Sequence, residues 1–194
     1  MNLSSRQVAL IAMLVALNVT IGGIVHVTKL PIFLDAIGTA LAALLLGLWP
    51  AVIVGTLSFV VASVMINPVY IWFIGTQAVI GMYVYWVANQ FLAFSSVKRV
   101  MIAGLLLGVI AGIVSAPVIV WIFKGVSGSG RDLITAVLLS TGQQIYKAVI
   151  LSGAASEPID KLLQMLAAFS ILKALPKRIL EQFRNPVLER NGLL

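Results

Sequence analysis

The chain alternates long apolar runs with short breaks that contain proline, glycine or charged residues. A helix needs about 20 apolar residues to cross the hydrocarbon core of a bilayer. By this criterion the pattern predicts six membrane spans. The spans lie at about 6–29, 33–49, 51–67, 70–94, 99–124 and 157–175. The predicted turns and loops between them are Trp49-Pro50, Asn67-Pro68, 95–99 and the glycine-rich stretch 125–130.

The segment 131–155 is also long enough to span, but it carries Gln143, Gln144 and Lys147 near its middle. A seventh span would place the basic C-terminal tail outside the cell, whereas cytoplasmic segments usually carry the excess of Lys and Arg. With six spans, the N- and C-termini both lie in the cytoplasm. We therefore expect 131–155 to form an additional outward-side helix, either re-entrant or acting as a lid.

The composition narrows the fold class. The chain is 61% hydrophobic and 10% charged, which excludes a water-soluble globule and a disordered chain. We expect an all-α integral membrane protein: a six-transmembrane-helix bundle forming one domain over 1–175, then a cytoplasmic amphipathic tail over 176–194.

The net charge of +7 would suggest a nucleic-acid partner for a soluble protein. Here the basic residues flank the spans, the tail residues Lys177, Arg178, Arg184 and Arg190 among them, so membrane topology explains the charge and no nucleic-acid partner is expected.

The fourth predicted span provides the best candidate pocket wall. Tyr70, Phe73 and Gln77 lie at i, i+3 and i+7, on one face of a helix. Aromatic planes with one amide suit a flat heteroaromatic ligand. A belt of aromatic side chains at the membrane interface is the alternative for Tyr70, but it does not explain an amide inside an apolar span. With Asn67 at the preceding turn, these residues are candidate substrate-binding residues.

Other polar residues within apolar surroundings have two interpretations each. Asp35 lies in the first turn of the second predicted span, where the helix dipole stabilises a carboxylate without any ligand. Intramembrane ionisable groups are also often functional, so both interpretations stay open. Gln143, Gln144 and Lys147 lie between strongly apolar flanks, which favours ligand contact or lid closure over a solvated helix face. Glu157 is the remaining candidate substrate-binding residue.

For four other polar residues, a structural role is favoured over ligand binding. Asp160 and Lys161 follow Glu157 near the start of the last predicted helix, where capping and mutual pairing are favoured over ligand binding. His26 has no second histidine or cysteine with which to share a metal, so packing or an interface is favoured. For Asn18, deeper in the first span, we expect an interhelical hydrogen bond. No metal site is predicted.

The first predicted span carries Ala9, Ala12 and Ala16 on one face. Small residues let another helix approach closely, which is how helices associate in lipid. The partner helix can belong to the same bundle or to another subunit, and spacing alone slightly favours the same bundle.

Catalytic motifs are missing from the sequence. It contains no phosphate-binding G-x-x-x-x-G-K-[ST] loop, no H-E-x-x-H or G-x-S-x-G motif, no cysteine and a single histidine. We therefore expect no enzymatic activity, no catalytic residues and no cofactor bound by this chain. Any step driven by ATP would belong to partner subunits.

The chain resembles the substrate-binding S components of energy-coupling factor (ECF) vitamin transporters. The resemblance rests on the Ala12-x-x-x-Ala16 pair in a first helix preceded by a basic residue, on the size and six-span pattern, and on two short stretches. These are Pro31-Ile-Phe-Leu-Asp35-Ala-Ile-Gly-Thr39 and Glu157-Pro158-Ile-Asp160-Lys161.

The resemblance implies a multi-pass subunit of the cell membrane that captures a vitamin from outside. It also implies that the subunit works with a separate transmembrane coupling subunit and two ATP-binding subunits. The face formed by Ala9, Ala12 and Ala16 would then be the docking surface. Aromatic and amide candidates favour a vitamin B6 form or a pyrimidine-like precursor as substrate.

Two other functions stay open. A self-sufficient channel or secondary carrier would usually show polar residues through the bilayer midplane or repeated half-structures. A structural membrane assembly subunit would explain the small-residue face but not a polar pocket.

Overall fold

The computed structural model of the protein describes residues 3–183 and 185–194. This part of the chain is helical and contains no strand. The helices are α1 (Ser5–Thr28), α2 (Ile37–Leu45), α3 (Leu48–Met65), α4 (Ile74–Phe91), α5 (Val97–Pro117), α6 (Arg131–Ser140), α7 (Ile145–Ala174), α8 (Lys177–Leu180) and α9 (Pro186–Arg190). A 3-10 turn over Pro68–Phe73 leads into α4, another covers Ala93–Ser95, and a π-helical turn over Val118–Ile122 extends α5. The prediction of an all-helical fold is confirmed.

Four helical segments are long and apolar enough to cross a membrane, among the residues that the structure describes. They are α1, α3, α4 with the turn that precedes it, and α5 with the turn that follows it. Many large apolar side chains on their outer faces are exposed, Met13, Val64, Trp86 and Ile113 among them. In water this surface would be unfavourable, whereas lipid covers it. These features are those of a multi-pass membrane protein.

The second predicted span, 33–49, is not one long helix in the structure. Residues 29–36 contain no helix, and α2 that follows has only nine residues, all of them buried. At 1.5 Å per residue such a helix covers about half of the hydrocarbon core. Gly47, with φ +99°, separates α2 from α3. The turn therefore falls before Trp49-Pro50, because proline is accommodated in the first turn of α3.

Polar side chains tie α2 to its neighbours. The Asn18 amide donates to Thr39 Oγ1 (3.0 Å) and Ser58 Oγ (3.1 Å), and Asn18 Oδ1 accepts from the Gly38 N–H (2.7 Å). Asn18 thus links α1, α2 and α3, as an interhelical hydrogen bond requires. A Cβ on Gly38 would overlap the Leu14 carbonyl, so α1 and α2 lie in close contact.

The last long helix begins earlier than predicted. Helix α7 is continuous from Ile145 to Ala174 and contains Pro158 in its interior. The expectation of one outward helix over 131–155 and a separate span from 157 is therefore wrong in its bounds. Gly142, with φ +83°, instead separates the short α6 from α7. The Glu157-Pro158 pair resembles a helix start because proline is favoured there, but here it lies inside a longer helix.

Helices α5 and α7 pack along most of their length. Three glycines of α5, Gly104, Gly108 and Gly112, face α7. A Cβ on Gly104 would lie 2.8 Å from the Leu162 Cα, and one on Gly108 would overlap the backbone of Pro158. Because only glycine allows the two backbones to come this close, the four-residue spacing sets the approach of the helices.

The C-terminal tail covers one end of the bundle. Leu180, Val187 and Leu188 are buried in the main apolar core. The Asn191 side chain accepts from the Phe94 N–H (2.9 Å) and donates to the Ala88 carbonyl (2.9 Å). The apolar face of the tail thus packs on the bundle rather than being free to lie on a membrane surface; Arg184 lies outside the described residues. We name the end of the bundle that the tail covers the tail end. The opposite end, where α1 and α3 finish and α4 begins, is the cavity end.

Candidate functional site

A cavity of about 790 Å³, its mouth included, lies at the cavity end of the bundle. Its wall comes from the last turns of α1, the 29–36 segment, α3, the start of α4, the end of α5, the loop before α6 and the middle of α7. The number of contributing elements and the mixture of aromatic and charged side chains in the lining make this cavity the candidate binding site.

One wall of the cavity is aromatic. Tyr70 and Phe73 line it, together with Phe59 from α3. The Phe59 and Tyr70 rings meet edge to face, with centroids 5.1 Å apart, and Tyr70 Oη lies 3.4 Å from His26 Nδ1. The structure places Tyr70, Phe73 and Gln77 in the same cavity. This wall offers ring faces and edges for stacking.

Asn67 lines the cavity and fixes the backbone that carries the aromatic wall. Its side chain accepts a hydrogen bond from the Val69 N–H (3.0 Å), which caps the turn over Pro68–Phe73. Asn67 therefore has a structural role in addition to its position in the lining.

Gln77 brings an amide to the apolar wall. It is 1% exposed and donates from Nε2 to Asp35 Oδ1 at 3.4 Å. Its Oε1 has no hydrogen-bond partner among the described residues. A buried unpaired acceptor is costly, and this oxygen lies against Gly55 of α3.

Charged groups from α7 and the 29–36 segment form the opposite side of the cavity. Lys161 Nζ lies 2.6 Å from Asp160 Oδ2, 3.7 Å from Asp35 Oδ1 and 3.8 Å from Glu157 Oε2. All four side chains are buried. We name Asp35, Arg131, Glu157, Asp160 and Lys161 the buried charge cluster. Buried ions need partners of opposite charge, and Lys161 is the shared partner of three carboxylates.

Asp160 holds the 29–36 segment in place. Its Oδ1 accepts from the Phe33 N–H (2.8 Å) and the Leu34 N–H (2.9 Å), while Oδ2 accepts from Gln164 Nε2 (2.7 Å). Gln164 Oε1 in turn accepts from the Ala36 N–H (2.9 Å). Because these bonds satisfy the backbone of a non-helical segment, α7 fixes the position of Asp35 in the cavity.

Arg131 joins the charge cluster from the first turn of α6. Its Nη1 lies 3.4 Å from Glu157 Oε1, its Nε donates to Ser152 Oγ (3.2 Å), and its Nη2 donates to the Val149 carbonyl. Burial lowers the pKa of the guanidinium from its ordinary value, and the Glu157 carboxylate opposes that shift. The group stays charged at neutral pH. Gly153 leaves the space that the guanidinium fills, since a Cβ there would overlap it.

Three of the candidate residues do not reach the cavity. Gln144 and Lys147 are exposed and Gln143 is half-buried, at and just after the turn that Gly142 makes between α6 and α7. None of the three lines the cavity. Their apolar flanks belong to two different helices, so the expectation of an embedded polar cluster in a single helix does not match the structure.

Sequence reasoning missed part of the site. It did not single out Arg131 and treated Lys161 as the partner of Asp160 alone, whereas both line the cavity. It also placed His26 in packing or an interface, and this side chain lines the cavity too. The available signal was charge within an apolar segment: Lys161 is followed by Leu162 and Leu163 and lies in the interior of a long helix.

The small-residue face of α1 points away from the bundle. Ala9, Ala12 and Ala16 are exposed, while Leu14 and Asn18 of the same helix are buried. Packing within the same bundle therefore does not use this face. It is free to contact lipid or another helix.

The arrangement can bind a small molecule by stacking on one side and by polar contacts on the other. Within the described ranges, no group of three or more His, Cys, Asp or Glu side chains is placed to hold a metal ion. Comparisons with protein-family models, curated proteins and solved structures give no match to this chain.

Proposed function

We propose that this chain is the membrane-embedded substrate-binding subunit of an ECF-type importer, which captures a small vitamin or vitamin precursor. The observation that carries the proposal is the cavity itself: it is lined by aromatic and charged groups and lies at one end of an apolar bundle. The sequence resemblance to S components supports the same function.

The interior below the cavity favours binding over conduction. Towards the tail end, the bundle is filled by the main apolar core, which includes Leu44, Phe94, Leu172 and Leu188. Among the described residues, this part of the interior offers no chain of polar groups comparable to the buried charge cluster. A channel or carrier working alone needs such a path across the midplane.

The distribution of charge supports an orientation. Basic residues concentrate at the tail end, in the first turn of α1, at the start of α5, and in the last turn of α7 and just after it; they include Arg6, Lys98, Arg99, Lys173, Lys177 and Arg178. Cytoplasmic segments carry such an excess. In the proposed orientation both termini are cytoplasmic and the cavity opens outside the cell membrane.

The proposed assembly has three further subunits. The exposed face with Ala9, Ala12 and Ala16 would dock on a transmembrane coupling subunit, because small residues permit close helix contact. Two ATP-binding subunits would supply the energy, since this sequence carries no nucleotide-binding loop.

The favoured substrates are a vitamin B6 form and a pyrimidine-like precursor. Both are flat rings with several hydrogen-bonding groups. They match a cavity lined by the rings of Tyr70 and Phe73 and by the polar groups of Gln77 and Asp35.

The test is a binding titration of the purified chain in detergent with a panel of vitamins and precursors. No tryptophan lines the cavity, so calorimetry and thermal shift are better readouts than fluorescence. We expect saturable binding of one compound class. Gln77→Leu is expected to weaken that binding by about 5- to 150-fold, because it leaves a polar ligand group unpaired.

Gln182→Leu is the matched control, since Gln182 is exposed in the tail. It should bind like the unchanged chain. Equal affinity of Gln77→Leu and Gln182→Leu would remove Gln77 from the site. The absence of any binding by folded protein would favour the assembly subunit over the importer.

A further inference from the structure

Counted by formal charges, the buried charge cluster is unbalanced. It contains three carboxylates, Asp35, Glu157 and Asp160, and two cations, Arg131 and Lys161, so its formal charge is −1. Lys29, just after α1, is exposed and donates to the Gly128 carbonyl (3.0 Å). Water screens such an exposed charge. A net buried charge is unfavourable unless a counter-charge reaches it.

The two buried cations are already paired with carboxylates. Arg131 uses Nε, Nη1 and Nη2 for Ser152, Glu157 and Val149. Lys161 lies among three carboxylates, with its short contact to Asp160. An anionic ligand would have to displace one of these carboxylates in order to pair with a cation.

The unused hydrogen-bonding capacity lies on the acceptors. Asp35 receives one long hydrogen bond from Gln77, and Glu157 one from Arg131, both at 3.4 Å. Asp35 and Glu157 both line the cavity and share Lys161, so the two acceptors belong to one side of it.

We infer that the cavity selects an organic cation: a ring compound whose ammonium or protonated nitrogen donates to Asp35 and Glu157. The ring would lie against Tyr70 and the phenylalanines of the opposite wall, where aromatic faces also attract a positive charge. A cation neutralises the cluster, and charge-assisted hydrogen bonds are about twice as strong as neutral ones. This inference rests on the proposed function, because it names the class of substrate for the same cavity.

The experiment compares three probes that share one pyridine ring and differ in the charge of one substituent. They are pyridoxamine, with an aminomethyl cation; pyridoxine, with a neutral hydroxymethyl group; and 4-pyridoxate, with a carboxylate. We expect pyridoxamine to bind the purified chain at pH 7 about 10- to 100-fold more tightly than pyridoxine, and 4-pyridoxate to bind most weakly. A second pair extends the test to pyrimidines: 4-amino-5-aminomethyl-2-methylpyrimidine and its 5-hydroxymethyl analogue.

A variant of the protein tests whether the cluster causes the preference. Glu157→Gln removes one negative charge and should lower the ratio of cation to neutral affinity by about tenfold, with cooperative thermal unfolding in detergent as the sign of an intact fold. Asp35→Asn serves the same purpose if the first variant does not fold. Glu181→Gln, the same change at an exposed residue of the tail, should leave the ratio unchanged.

The outcomes separate the two proposals. Equal or tighter binding of the neutral or anionic probe would overturn the inference and leave the proposed function standing. The same holds if the vitamin panel identifies a neutral or anionic ligand instead. A ratio unchanged in both Glu157→Gln and Asp35→Asn would also overturn it. If no probe and no vitamin binds to folded protein, both proposals fail.

Discussion

Replacing Ala12 with tryptophan is expected to abolish ATP-dependent uptake while ligand affinity stays within about twofold. Ala12 lies in the middle of the exposed small-residue face of α1, and it does not line the cavity. A tryptophan side chain there would separate α1 from a coupling subunit by several ångströms, because close contact depends on small residues. Uptake of labelled ligand by cells that express the chain with a coupling module measures the first effect, and calorimetry on the purified variant measures the second.

Ile113→Trp is the matched control. Ile113 is also a strongly exposed residue, lies on α5 rather than on the helix that carries the alanine face, and does not line the cavity. We expect it to transport normally. If Ala12→Trp transports normally too, or if affinity falls together with uptake, the docking surface lies elsewhere.

Replacing Gly108 with alanine is expected to lower the stability of the bundle by about 3 kcal/mol, or about 5–10 °C in Tm. A Cβ at this position would overlap the Pro158 backbone of α7. A backbone cannot move aside as a side chain can, so α5 and α7 would have to separate. Because Glu157 and Lys161 flank Pro158 in the same helix, ligand affinity should fall as well. Thermal unfolding in detergent and calorimetry provide the two measurements.

Gly112→Ala is the control for this change. A Cβ on Gly112 would lie 3.7 Å from the Glu157 Cγ, an ordinary contact. Since alanine favours a helix over glycine by about 1 kcal/mol, Gly112→Ala should be as stable as the unchanged chain or slightly more stable. If Gly108→Ala is as stable as the unchanged chain, α5 and α7 do not approach as closely as the structure has them.

Local periodicity was sufficient for part of the site. Tyr70, Phe73 and Gln77 share a helical face because of their spacing alone, and the structure places them in one cavity. Asn18 shows a similar case: a single amide in an apolar helix needs a partner on another helix, and it finds Thr39 and Ser58. Neither prediction required knowledge of which helices pack together.

Pairings between distant segments could not be read from one sequence. Asp35 meets Lys161, and Arg131 meets Glu157, only because the non-helical 29–36 segment and α6 both pack against α7. From the sequence alone, a local role for each charge, at a helix start or in a loop, is as well supported as a contact with a distant segment. The cluster therefore appears only when the tertiary arrangement is known.

The predicted helix bounds were wrong where a residue typical of one position in a helix occupies another. Pro158 is favoured at a helix start, but in α7 it lies in the interior, where Gly108 makes room for it. Leu180 and Val187 of the tail have the amphipathic pattern of an interfacial helix, and they pack instead on the tail end of the bundle. Hydrophobic patterning identifies an apolar face, but it does not specify what covers that face.

The most direct test of the account measures transport in proteoliposomes, once with the chain alone and once with a coupling subunit, the two ATP-binding subunits and ATP. The ligand is the one that the binding titration identifies. We predict ligand binding but no flux with the chain alone, and ATP-dependent accumulation with the full assembly. Flux through the chain alone, without ATP, would contradict the account and would favour a self-sufficient channel or carrier.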